Sequence, residues 1–203
     1  MTIADQGHQR PSLVSLEVFD FTGMSIRSGL EPFIHWLLHT PSRLTIRHLT
    51  YEYVLWPFSD GRSACTALVG QLPSLTALVA TVYPDSTVNT LPLSHLKHLE
   101  DLWLQFFQNK EGPSPWDVMA HIVSGARSRL RRLRITIQAE TSIDTQNLEK
   151  MDPVLEGPSF TDLDRMHFDI RGSDLSSELV VLFGEDVKQK LPKLYARGIV
   201  EVS

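Results

Sequence analysis

Apolar residues recur along this chain in a short pattern, Leu-x-x-Leu-x-Leu or a close variant, six times over. The copies are Leu13-x-x-Leu16-x-Val18, Ile46-x-x-Leu49-x-Tyr51, Leu75-x-x-Leu78-x-Ala80, Leu99-x-x-Leu102-x-Leu104, Leu130-x-x-Leu133-x-Ile135 and Leu163-x-x-Met166-x-Phe168. Their first positions lie 33, 29, 24, 31 and 33 residues apart, and a shortened seventh copy, Leu191-Pro-Lys-Leu194 leading into Gly198-Ile-Val-Glu-Val202, follows. A period of this length with a strand-like triplet marks stacked strand-plus-helix units, since one unit cannot bury its apolar side alone. The expected fold is therefore α/β, a leucine-rich-repeat-like solenoid with a curved parallel sheet on the concave face and helices or turns on the convex face. Residues 1–12 read as a polar tail, and 13–203 as a single repeat domain of about seven irregular units.

Parallel strands need crossovers, and the segments between triplets read accordingly. Ser28 to His39 is helix-like, with Phe33, Trp36 and Leu37 at helical spacing and Pro41 as a stop. In Ser59 to Leu72, Ser59 or Asp60 caps a helix with Ala64, Leu68 and Leu72 on one face. Pro84 to Leu96 contains two prolines and predicts a turn or a single 3₁₀-like segment. Ser114 before Pro115 predicts a helix start. Thr145 to Pro158 predicts one helical turn around Leu148, and Asp174 to Lys190 a full helix bearing Leu179, Leu182, Phe183 and Val187.

Alternation within the strands turns the leucines inward and their neighbours outward. The outward set is Ser15, Glu17, Phe19, His48, Thr50, Glu52, Ala77, Val79, Thr81, Asp101, Trp103, Gln105, Arg132, Arg134, Thr136, Arg165, His167 and Asp169. Partner-binding candidates within it are Glu17, His48, Glu52, Asp101, Trp103, Arg132, Arg134, Arg165 and His167. Trp103, Arg132, Arg134 and Arg165 lead because tryptophan and arginine dominate binding energy at protein interfaces. Replacing Trp103 and Arg134 by alanine is then expected to weaken partner binding and leave the melting temperature unchanged.

Composition narrows the classes of function. The 203 residues carry a formal charge of −5, which argues against a dedicated nucleic-acid binder. The run Arg127, Arg129, Arg131, Arg132 and Arg134 is the one concentrated charge feature, and strand alternation is expected to divide it between faces. A single cysteine, Cys65, allows no internal disulfide and suits the cytoplasm or nucleus; its expected place is buried in the second helix. No run of 18 apolar residues occurs and Met1 to Arg10 lack a signal-peptide core, so no membrane partner is expected.

Chemistry is sparse. His35 and His39 are four apart on a helix, but Trp36 stands where a His-Glu-x-x-His site needs its glutamate. His95 and His98 have no ligand cluster beside them, and no nucleophile elbow or phosphate-binding glycine loop occurs. No metal, cofactor or enzymatic activity is expected.

Leu72-Pro-Ser-Leu-Thr-Ala-Leu78, Leu130-Arg-Arg-Leu-Arg-Ile135, Pro158-Ser-Phe-Thr-Asp-Leu163 and Leu191-Pro-Lys-Leu-Tyr-Ala-Arg-Gly-Ile-Val200 together resemble the C-terminal region of fungal F-box proteins, especially those of mushroom-forming fungi. The resemblance spans nearly the whole chain, and Arg197-Gly198-Ile199 is its most distinctive part. It implies the target-recognition part of a ubiquitin-ligase substrate receptor, in which repeats hold a protein target while an F-box docks on the cullin-ligase adaptor. The F-box, with its early Leu-Pro and short helices, has no counterpart here, so adaptor docking is expected only where one lies upstream. The alternatives are a standalone repeat scaffold whose first repeat pairs with another subunit or itself, and a truncated paralogue with no ubiquitin-ligase role.

Overall fold

A computed structural model describes residues 13–20, 27–53, 67–82, 91–108, 114–139, 142–172 and 176–203, with the side chains of residues 18–20, 27–31, 52 and 53 outside the description. The described strands are β1 (Ser15–Asp20), β2 (His48–Tyr53), β3 (Ala77–Val82), β4 (Asp101–Phe107), β5 (Arg132–Gln138), β6 (Arg165–Arg171) and β7 (Val200–Val202). They form one α/β layer, a seven-stranded sheet in chain order with every neighbouring pair parallel. Each triplet occupies its strand in the same register. Leu16, Leu49, Leu78, Leu102, Leu133, Met166 and Val200 make one row across the sheet, and Val18, Tyr51, Ala80, Leu104, Ile135, Phe168 and Val202 make another. Where the second row carries its bulky Tyr51, its neighbour is the small Ala80, and both are buried.

Strand entry is held by a repeated backbone device. The carbonyl of the residue before each of β1 to β5 accepts two N–H groups from the next repeat: Arg47 and His48 donate to Val14, Thr76 and Ala77 to Arg47, Glu100 and Asp101 to Thr76, Arg131 and Arg132 to Glu100, and Asp164 and Arg165 to Arg131. These bonds measure 2.8–3.3 Å. Because links of very different length end on this same bond pattern, variation in repeat length does not shift the register.

The links bring α1 (Arg27–Leu38), α2 (Pro115–Ser124), α3 (Met151–Leu155), α4 (Ser177–Lys190) and α5 (Pro192–Ala196) against the inward rows. Residues 67–70 are also helical, and short 3₁₀ turns cover Pro41–Leu44, Leu93–His95, Leu148–Lys150 and Pro158–Phe160. Leu93–His95 is the turn expected between the two closest repeats. Leu148 begins not one turn but a 3₁₀ segment that runs on into α3, in which Met151 and Leu155 are buried.

Two helices expose residues expected in the core. Ile34 and Leu37 are the buried pair of α1, whereas Phe33 and Trp36 stand in solvent with their rings 5.8 Å apart. In α4, Phe183 and Val187 are buried but Leu182 is exposed, its place taken by the half-buried Val180. Each helix is crowded with apolar residues at adjacent positions, and one turn presents only about a third of its circumference to the sheet. Ala64, Cys65, and Ser59 and Asp60 as caps lie outside the described residues.

Trp116 of α2 is the hub of the core. Fully buried, it lies edge-on to Phe106 of β4 and Phe168 of β6, with centroids at 5.7 and 6.0 Å, and stacks on Phe183 of α4 at 6.0 Å. Its indole N–H donates to the Asp144 carbonyl at 2.6 Å, which satisfies its only polar atom. Ser114 occupies the N-cap of α2, yet its hydroxyl donates to the Gln146 carbonyl in the next repeat instead of capping the helix. Gly198, at φ +67°, turns the chain from α5 into β7 through a conformation that glycine adopts without strain. No described helix is long and apolar enough to cross a membrane.

Candidate functional site

With helices on the inward rows, the opposite sheet face carries three outward rows. The first is Ser15, His48, Ala77, Asp101, Arg132 and Arg165; the second is Glu17, Thr50, Val79, Trp103, Arg134, His167 and Glu201; the third includes Phe19, Glu52, Thr81, Gln105, Thr136 and Asp169. Ser15, Glu17, His48, Arg132 and Arg165 are exposed, and Thr50, Ala77, Val79, Asp101, Trp103, Arg134 and His167 are half-buried. Glu52 sits opposite Phe19 in the β1–β2 register, but its side chain lies outside the described residues.

The third row departs from simple alternation. Thr81, Gln105, Thr136 and Asp169 are buried although they point away from the helices. For Thr136 and Asp169 the cause is visible in the side chains that close over them. The Trp103 indole N–H donates to Thr136 Oγ1 at 2.8 Å, and Thr136 Oγ1 donates to Asp169 Oδ2 at 3.2 Å. Asp169 Oδ2 also accepts from Arg134 at 2.6 Å and from Arg171 Nε at 3.0 Å. The Arg134 guanidinium lies 4.2 Å from the Trp103 ring centroid and that of Arg171 lies 6.0 Å from it, both within cation–π range. A neutral hydroxyl, one carboxylate, two guanidiniums and an indole thus form one network across β4, β5 and β6.

The charge state of this network follows from its geometry. Burial pushes the Asp169 carboxyl up, but hydrogen bonds and charge from Arg134 and Arg171 outweigh it and hold the group below its ordinary value. Beside it, Arg132 makes a two-pronged contact to Asp101 through Nε and NH2, which raises the guanidinium above its ordinary value. Arg165 pairs with Glu201 of β7 at 3.5 Å, and His167 Nε2 lies 2.8 Å from Ser203 Oγ.

The arginine run is divided by partner more than by face. Arg129 meets Asp162 at 3.4 Å and Arg131 meets Asp164 at 3.0 Å at the strand entrances, while Arg132 and Arg134 share the outward face. Of the sequence-level candidates, Asp101, Trp103, Arg132, Arg134, Arg165 and His167 come together on three adjacent strands. Glu17 and His48 lie at the other end of the sheet. Arg171, and the binding together of Trp103 and Arg134 by Asp169, are missing from the sequence reading. The signal that could have found the pairing of Arg134 with Asp169 is opposite charge one repeat apart, as also in Asp101 and Arg132, and for Arg171 it is opposite charge two positions away on one strand.

Trp103 and Arg134 are consequently fastened to the fold, and the expectation that alanine leaves stability unchanged at these positions does not suit their surroundings. Removing the indole deprives the buried Thr136 of a donor, and removing Arg134 takes a counter-charge from a buried carboxylate.

Of the histidines considered for metal binding, His35 and His39 share a face at the end of α1, with ring centroids 4.4 Å apart. His39 Nδ1 donates to the His35 carbonyl at 2.7 Å, and His95 and His98 are exposed. Among the described residues no group of three or more His, Cys, Asp or Glu is arranged to hold a metal ion. Comparison with known proteins returns no matching family model, no matching curated protein and no matching solved structure.

Proposed function

We propose that this chain is a protein-interaction module, a leucine-rich-repeat-like solenoid whose polar sheet face is the concave binding surface. The reading extends to the target-recognition part of an F-box-type ubiquitin-ligase receptor, with the cullin-ligase adaptor engaged only where an F-box precedes the repeats. One observation carries the interaction reading: the outward rows run in register across the strands, and apart from Ala77 and Val79 of β3 the first two rows carry exposed or half-buried polar groups and Trp103 where the inward rows are apolar. Such a surface offers many side chains at fixed spacing, as protein recognition requires and small-molecule catalysis does not.

Photo-crosslinking in native extract tests this. Benzoylphenylalanine placed at His48 or Arg165 should capture a partner, whereas the same probe at the exposed Glu185 of α4 should not. Capture from Glu185 alone would sink the reading. Recovery of a cullin-ligase adaptor with the captured target would support the ubiquitin-ligase role; a target recovered without it favours a standalone scaffold.

The scaffold alternative has its own support in the first repeat. Leu13, Val14, Phe33, Trp36 and Leu44 all expose large apolar side chains there, and Leu13 is the only first-position residue of the six triplets outside the core. Self-association through this repeat predicts a sedimentation coefficient that rises with concentration and falls back in Trp36→Ser.

A further inference from the structure

The outward face of β4, β5 and β6 is more basic than the chain that carries it. Four arginines, Arg132, Arg134, Arg165 and Arg171, stand there against two aspartates, Asp101 and Asp169, which leaves +2 on a protein of net charge −5. Height above the sheet sharpens the contrast. The side chains of Arg132, Arg165 and Arg171 are 66, 62 and 50% exposed, while Asp101 and Asp169 are 31 and 12% exposed. The carboxylates are sunk beneath the guanidiniums, so an approaching molecule meets cations first.

The guanidiniums also keep donors free of their known partners. Among the described residues, Arg132 and Arg171 use Nε and NH2 on Asp101 and Asp169, and Arg134 uses NH2 while its Nε is buried without a partner, so no described acceptor occupies NH1 of any of the three. On one side the neighbouring β3 presents only Ala77, Val79 and Thr81, which cancel none of the field. On the other, Glu201 faces Arg165 at 3.5 Å with both side chains mostly exposed, a pairing that water and salt screen.

From this arrangement we infer that the β4–β6 face binds an acidic segment of a partner protein, with partner carboxylates on Arg132, Arg165 and Arg171 and an apolar or aromatic side chain against Trp103. The inference rests on the protein-interaction reading and adds the chemistry of what is bound. A nucleic-acid strand fits less well: tight phosphate binding draws on about 6–10 contacts, and a surplus of two charges on an acidic chain does not supply them. Carboxylates at side-chain spacing match planar guanidinium forks held on strands about 4.8 Å apart.

Fluorescence anisotropy with three labelled probes decides the matter: a Glu-Tyr repeat decapeptide, a Gln-Tyr repeat decapeptide and a ten-nucleotide single-stranded DNA. The Glu-Tyr peptide should bind best, and raising the salt from about 50 to 500 mM should weaken it steeply. Arg165→Glu combined with Arg171→Gln should weaken it about tenfold. Equal binding of the Gln-Tyr peptide, tighter binding of the DNA, or unchanged affinity in a folded double variant would each overturn the inference. Should that variant melt early, the salt response of the unaltered protein decides, and no response overturns it. Crosslinks from His48 and Arg165 that survive a failed peptide titration would leave the interaction module standing with a different ligand chemistry. Peptide binding with capture from Glu185 alone would remove that module instead.

Discussion

Trp103 illustrates how one side chain can serve the fold on a face that looks free. Its indole N–H reaches Thr136 Oγ1, and through it the carboxylate that holds Arg134 and Arg171. Trp103→Phe keeps most of the ring and removes that donor, so stability in denaturant titration should fall by about 1 kcal/mol; an unchanged midpoint would mean the bond contributes nothing. Asp169 carries a pH signature of definite sign. Its folded pKa is depressed, so its contribution is complete above the unfolded value of about 3.9 and disappears as pH falls through the lower folded value. The stability difference between the unaltered chain and Asp169→Asn should be flat from about pH 7 to 5 and shrink below about pH 4. A difference that widened on acidification would reverse the assignment.

The strands were far more legible in the sequence than the helix faces. Leu-x-x-Leu-x-Leu names both the strand and its inward side, because a period of two leaves no freedom once three apolar positions are set. Helices give weaker guidance: Phe33, Ile34, Trp36 and Leu37 nearly ring α1, and only the packed structure selects Ile34 and Leu37. Leu182 and Phe183 pose the same choice in α4. Leu104→Ala, in the row between Ala80 and Ile135, should cost about 2–5 kcal/mol. Leu182→Ala should stay within about 0.5 kcal/mol. Comparable losses from both would contradict the exposure of Leu182. The network on the opposite face was illegible for a further reason. Apart from Arg171 and Asp169, which share β6, its bonded members are 31 to 35 residues apart, and only the register shows which of them touch.

At the scale of the whole molecule, each repeat touches chiefly its neighbours, so stability should grade along the stack. Strands β4, β5 and β6 have partners on both sides, and β4 and β6 supply Phe106 and Phe168 to the Trp116 cluster, while β1 and β7 are the edges. Amide exchange should be slowest in β4 to β6 and fastest in β1 and β7; uniform protection would mean the chain opens as one unit. The polar face is graded as well. Glu17 and the Glu52 position lie toward β1, the arginines lie on β5 and β6, and a bound partner would be oriented by that asymmetry.

The double-acceptor carbonyl at the entrances of β1 to β5 makes the chain divisible. Arg132 takes the sheet position after Asp101 because it donates to the Glu100 carbonyl, and nothing in that bond reads the length of the intervening link. A second copy of residues 101–131 spliced before Arg132 would present the same acceptor, from Arg131, to whichever strand came next. The lengthened protein should gain an eighth strand, remain monomeric at low concentration and grow along the stack by about 5 Å in solution scattering. A collapsed or aggregated product would mean that the aromatic hub, not the backbone bond, dictates where one repeat may follow another.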